Sequence, residues 1–172
     1  MAPMSDIGDA VAKASSYLSQ HPDEARYRDS AARARLGAGL RVDVTGPTGE
    51  RLTTDMPVGI GGGATLPSPG WYFRAAAASC VASLIGIRAA AQGYMLAPDA
   101  VEVTVDSESD DRGILGIDDQ VPAGALSIKV VVRIDVPALD RKTREGLARW
   151  AVDHCPVTDT VRRSVVLDVQ LL

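Results

Sequence analysis

Three features of this 172-residue chain predict an α+β fold built largely on antiparallel sheet. Short stretches of strict apolar–polar alternation, separated by glycine-containing turns, lie in the first third of the chain. A long alanine-rich stretch with almost no charge follows. A second pair of alternating stretches then leads into helix-period segments and an alternating C-terminus.

Along the chain, Ile7, Val11, Ala14 and Leu18 recur at helical spacing within Ser5 to Gln20, with Ser5 placed to cap and Pro22 marking an end, so an amphipathic N-terminal helix is expected. From Ala31 the period changes to two: Ala32, Ala34 and Leu36 face one way, and Arg33 and Arg35 the other. "GAG" then turns into a second strand over Leu40 to Thr45, and "GPTGE" turns into a third over Arg51 to Thr54. Consecutive strands joined by tight turns pair antiparallel. "MPVGIGGGATLPSPG" is too rich in glycine and proline for regular structure and is expected to be flexible.

Trp71 to Gly93 is then a helix of roughly 33 Å at about 1.5 Å per residue, ended by a capping glycine. Its only charges are Arg74 and Arg88, and an apolar surface all round predicts burial. The charge-free run Ala75 to Ile87 spans 13 residues, too short to cross a bilayer. Val101, Val103 and Val105 alternate with Glu102, Thr104 and Asp106; Leu126, Ile128, Val130, Val132 and Ile134 alternate with polar neighbours. Both stretches are expected to be strands with one wet face, joined by the acidic, exposed "SESDDRGILGIDDQVPAG". Ala138 to His154 returns to helical spacing. Pro156 favours the first position of a new helix, and Val165, Leu167, Val169 and Leu171 predict a last strand.

Composition excludes several functions. With 46% hydrophobic residues the chain can build a core, and a net charge of −4 with no basic run argues against a nucleic-acid partner. "MAPMSDIGDA" has no basic segment followed by an apolar one, so neither a secretory signal nor a membrane association is expected, and the expected location is the cytoplasm. "GIGGGA" lacks the GxGxxG register, no GxSxG is present, and no cofactor is expected.

Two cysteines, 75 positions apart, carry what chemistry the sequence offers. Cys155 stands at the cap of the helix that Pro156 opens, where free amides and the positive end of the helix dipole favour a thiolate; Asp159 competes for that same end. Cys80 lies ten residues into its helix among apolar neighbours. Burial there raises a thiol pKa, so a reactive Cys80 needs a cation from elsewhere. Three readings stand at this point: inert core thiols, a redox pair, or a metal site drawing on Cys80, His154 and Cys155. The metal reading has no CxxC and no fourth ligand, so no metal is expected.

Taken together, "GGGATLPSPGWYFRAAAASCVAS", the "GY" at Gly93–Tyr94 and "HCPVTDTVRRSVVLDVQL" resemble the OsmC/Ohr family of thiol-dependent peroxidases. The resemblance runs from about Ala31 to Leu172, which divides the chain into an N-terminal helical extension, residues 1–28, and an OsmC-like domain, residues 29–172. It implies an intertwined homodimer with sheets wrapped around long central helices. It implies that Cys80 reduces an organic hydroperoxide and becomes a sulfenic acid, that Cys155 condenses with it to a disulfide, and that a dithiol reduces the pair, a role in defence against oxidative stress.

In the family an arginine from an early strand activates the peroxidatic thiol, and a carboxylate ten residues before that thiol holds the arginine. Arg41 lies nearest the expected place, with Arg33, Arg35 and Arg51 as alternatives. The acid's position is occupied here by Gly70, and Glu50 or Asp55 are the candidates to replace it. The alternative function is therefore an OsmC-fold dimer without efficient peroxidase activity, acting as a small-ligand binder or redox sensor.

Overall fold

The computed structural model describes residues 4–171, and side chains from residue 7 onward. The chain forms two compact units: Ser15–Ala75, and Met1–Ala14 together with Ala76–Leu172.

In the unit Ser15–Ala75, strands β1 (Arg33–Leu36), β2 (Val42–Thr45) and β3 (Arg51–Thr54) form an antiparallel sheet in the order β1-β2-β3. Ala34 is opposite Val44 and Val44 opposite Leu52, so the apolar residues share a face as the alternation required. That face is open at β1, every residue of which is exposed, while Val42 and Val44 of β2 are half-buried. The loop after β3 departs from expectation. Instead of flexing, it folds around the Asp55 carboxylate, which accepts hydrogen bonds from the amides of Met56 (2.8 Å), Gly63 (3.1 Å) and Thr65 (3.1 Å) and from the Thr65 hydroxyl (2.9 Å). The Thr65 amide and hydroxyl, then the amides of Gly63 and Met56, hold Asp55 down to a pKa of about 2. Gly62 is needed because a β-carbon there would collide with the Met56 backbone.

Helix α2 (Pro69–Ala91) is 23 residues long, and its stripe Ala77, Val81, Ile85 and Ala89, spaced by four, is buried. The other unit is built on that stripe. Strands β4 (Val101–Glu108) and β5 (Ser127–Ile134) pair antiparallel, with Val103 opposite Val132 and Val105 opposite Val130. The acidic connection is exposed as expected, with one short helix, α3 (Asp111–Ile114), capped by Asp110 accepting from the Arg112 amide at 3.0 Å. Helix α4 (Arg141–His154) is capped by Asp140, which accepts from the Thr143 amide at 2.7 Å. Its buried stripe Leu147 and Ala151 meets Val81, Ile85 and Ala89 of α2, Ile134 and Leu139 in one core. The fully buried Val81, Ile85 and Leu147 side chains each contribute about 1.5–3 kcal/mol. The N-terminal helix α1 (Met4–Gln20) forms as expected, and α5 (Pro156–Arg162) opens on its proline.

Two expectations fail. α2 buries one stripe rather than its whole surface: 22% of its most apolar 18-residue window is buried, and Trp71 and Phe73 are 48% and 38% exposed. By length and composition alone the 23-residue helix matches a membrane span, which the 13-residue charge-free run did not. The strand expected over Val165 to Leu171 does not form. The segment is irregular and open, with Val166 at 94% and Leu167 at 87% exposure. Alternation states which side chains seek cover; a strand must also pair, and among the described residues this segment joins neither sheet, although β1, β3, β4 and β5 each have an open edge.

A candidate dithiol active site

Cys155 continues the buried stripe of α4, four residues beyond Ala151 and eight beyond Leu147, and is wholly buried. It stands in the break between α4 and α5 with extended backbone, φ −74° and ψ 120°. Pro156 makes that break: it cannot continue α4, and its fixed φ suits the first position of α5. Cys80, in mid α2, packs against the same cluster but is only half-buried. α2 and the α4–α5 break thus bring the two sequence-distant thiols into hydrogen-bonding contact with each other.

Their environments push the two apart. Burial, then the hydrogen bond and charge of Cys155, raise Cys80 to about 11, and the Val157 amide offsets only part of this. At Cys155 burial again opposes ionisation, but the Thr158 amide, the Cys80 thiol, the Thr158 hydroxyl and the Val157 amide together outweigh it and lower the pKa. The Thr158 hydroxyl is a weak contributor, because its single proton is drawn to the Val152 carbonyl at 2.6 Å. The backbone amides are the steadier donors, so of the two thiols Cys155 is the easier to ionise and Cys80 the harder. In the sequence Thr158 stands in the first turn after Cys155, but nothing there gave it a part in holding a thiolate. Its position three residues after a capping residue was the available signal.

The remaining candidates, His154 apart, belong to the unit Ser15–Ala75. Arg41 is exposed in the turn before β2, in the unit Ser15–Ala75; its amide donates to the Ala38 carbonyl at 3.4 Å. Arg33 and Arg35 are on β1, Arg35 opposite Asp43, and Arg51 is on β3. Glu50 binds the amide and hydroxyl of Thr48, and Asp55 holds its loop, so both acids are engaged locally. At Gly70, in the first turn of α2, an added β-carbon would sit 3.7 Å from Arg74 Nη1 in ordinary contact. No steric demand requires glycine there. His154 stacks on Trp150 with ring centroids 4.2 Å apart, and its Nδ1 lies 2.8 Å from the Trp150 carbonyl.

Residues 61–170 match the family model described as OsmC-like protein. Among solved structures, an OsmC-like protein of Mycoplasma pneumoniae superposes with a TM-score of 0.66 at 14% identity, covering 80% of this chain and 89% of its own. An organic hydroperoxide resistance protein OsmC of Legionella pneumophila gives 0.60 at 22% identity, covering 80% and 91%. The organic hydroperoxide resistance protein OhrB of Bacillus subtilis gives 0.53 at 22% identity, covering 78% and 91%. At these identities the likeness is one of fold. A comparison with curated proteins finds no match.

Proposed function

The chain belongs to the OsmC-like protein family, and we propose that it is a cysteine-based peroxidase that reduces organic hydroperoxides with electrons from a dithiol. The observation that carries this reading is the contact between a half-buried Cys80 and a fully buried Cys155 whose pKa is lowered. The solved relatives named for organic hydroperoxide resistance support it.

In the proposed cycle the Cys80 sulfur attacks one peroxide oxygen and the O–O bond breaks. The alkoxide takes up the proton that Cys80 releases and leaves as an alcohol, and Cys80 becomes a sulfenic acid. The Cys155 thiolate attacks the Cys80 sulfur, hydroxide leaves as water after protonation, and a disulfide forms. The external dithiol restores both thiols by two exchange steps. Cys80 is the attacker because it is the accessible sulfur, and Cys155 resolves because it is the more readily ionised yet shielded. Arg41 is the proposed cation that lowers the Cys80 pKa.

The functional form is a homodimer in which residues 29–172 make the OsmC-like domain and residues 1–28 an extension, working in the cytoplasm against oxidative stress. The open faces of α2 and β1 support a second copy as their cover.

A second reading, the same fold with inefficient turnover serving as small-ligand binder or redox sensor, is favoured by Gly70 and by the high pKa of Cys80. Cumene hydroperoxide and a dithiol distinguish the two. Turnover well above that of free dithiol, lost in Cys80→Ser, with a trappable sulfenic acid persisting in Cys155→Ser, supports the peroxidase. Wild-type consumption no faster than free dithiol sinks it.

A further inference from the structure

Beyond the thiols, α2 and α4 enclose a cleft of about 730 Å³ within the unit that carries them. That volume suits a small organic ligand. Two cations line it, Arg88 from α2 and Lys142 from the first turn of α4, and no carboxylate does. The Arg88 guanidinium rests 4.9 Å from the centroid of the Trp150 ring, which stacks on His154 from its neighbouring turn. Arg88 is therefore positioned in advance, and among the described residues it makes no ion pair, so its planar fork is available for a carboxylate. Thr143 adds a hydroxyl beside Lys142, and Tyr94 supplies an apolar wall. On the α4 side the cleft is open at Gly146, where an added β-carbon would meet nothing within 4 Å.

We propose that this cleft binds a small carboxylate with an apolar body, its carboxylate held between Arg88 and Lys142 and its apolar part against Tyr94 and the rim of Trp150. Arg88 follows Cys80 by eight residues, about 12 Å along the helix, so the cleft is separate from the thiol pair. A ligand there bridges the two helices that position both sulfurs. The site stands whether or not the chain turns over peroxides.

The test is calorimetric titration of the full chain with 1-naphthoate, against neutral 1-naphthamide and against acetate, which lacks the apolar body. The expected result is saturable naphthoate binding, with the amide at least about tenfold weaker for want of a charge-assisted contact and acetate at least about tenfold weaker for want of the apolar contact. Arg88→Gln and Lys142→Gln each weaken naphthoate about tenfold or more. Gly146→Leu, which fills the opening from an exposed helical position that favours a longer side chain, abolishes binding. Cys80→Ser binds as wild type does, so failure of the peroxidase assay leaves this result readable. Should Arg88→Gln fail to fold, Lys142→Gln and the amide comparison decide. No wild-type binding up to about 1 mM, or naphthoate binding within twofold of wild type in Lys142→Gln, overturns the proposal.

Discussion

At Cys80 burial raises the thiol pKa to about 11, while the amides at the start of α5 lower that of Cys155. The order of the two cysteines, their helix contexts, the cap at Cys155 and both of these directions were legible, because each rests on local pattern. The contact between the two sulfurs was not, because only the folded chain brings them near. A thiol whose pKa is raised to about 11 gains thiolate as pH climbs toward that value. Carboxamidomethylation of Cys80 in the wild-type protein, followed by mass spectrometry, should therefore quicken about tenfold per pH unit from pH 7 to 10, without a plateau. A plateau below pH 8 would show that a cation reaches Cys80 after all and strengthen the role proposed for Arg41. The residue that most separates this chain from its family's pattern, Gly70, was visible in the sequence; the engagement of Glu50 and Asp55 in their own loops was not, since nothing in their spacing reports it.

Among the elements, the two sheets and the long helices formed where periodicity placed them, because each local pattern agrees with the burial it meets. The final strand failed because its segment joins neither sheet. The contact between α1 and α2 was invisible in the sequence, since a glycine at helical spacing carries no mark of its neighbour. At Gly8 a β-carbon would come within 2.9 Å of the Ala90 carbonyl oxygen, a backbone atom that cannot turn aside. Gly8→Ala should therefore lower stability by about 1–2 kcal/mol in chemical denaturation despite alanine's better helix propensity. Gly146→Ala, with nothing within 4 Å of the new carbon, should raise it by up to about 1 kcal/mol. Equal effects at the two sites would show that α1 does not pack on α2 in solution.

For the whole molecule, the apolar surface left open is the main fact. Leu36 on β1 is 69% exposed, Val169 and Leu171 in the C-terminal segment 82% and 101%, and Trp71 on α2 48%. Large apolar surface of this kind calls for a partner, and the alternation of Val165 to Leu171 is that of a strand awaiting an edge. Sedimentation velocity should find a dimer at twice the 18.0 kDa of the chain. A chain ending at Arg163 should dissociate at least about tenfold more readily. A full-length protein that sediments as a monomer would refute the dimer and leave the apolar segment without a role. The sequence showed which faces are apolar; the proposed second copy is what would cover them.

Both sulfurs belong to the same unit, so a bond between them would close a ring inside one polypeptide around β4, β5 and α4. The oxidised protein would run as a single chain on a non-reducing gel, with no covalent dimer. Restricting so long a loop in the unfolded state is worth about 4 kcal/mol by chain entropy. Each turnover would therefore alternate the molecule between a looser reduced form and a cross-linked form that melts later, and its redox state could be read with a thermometer.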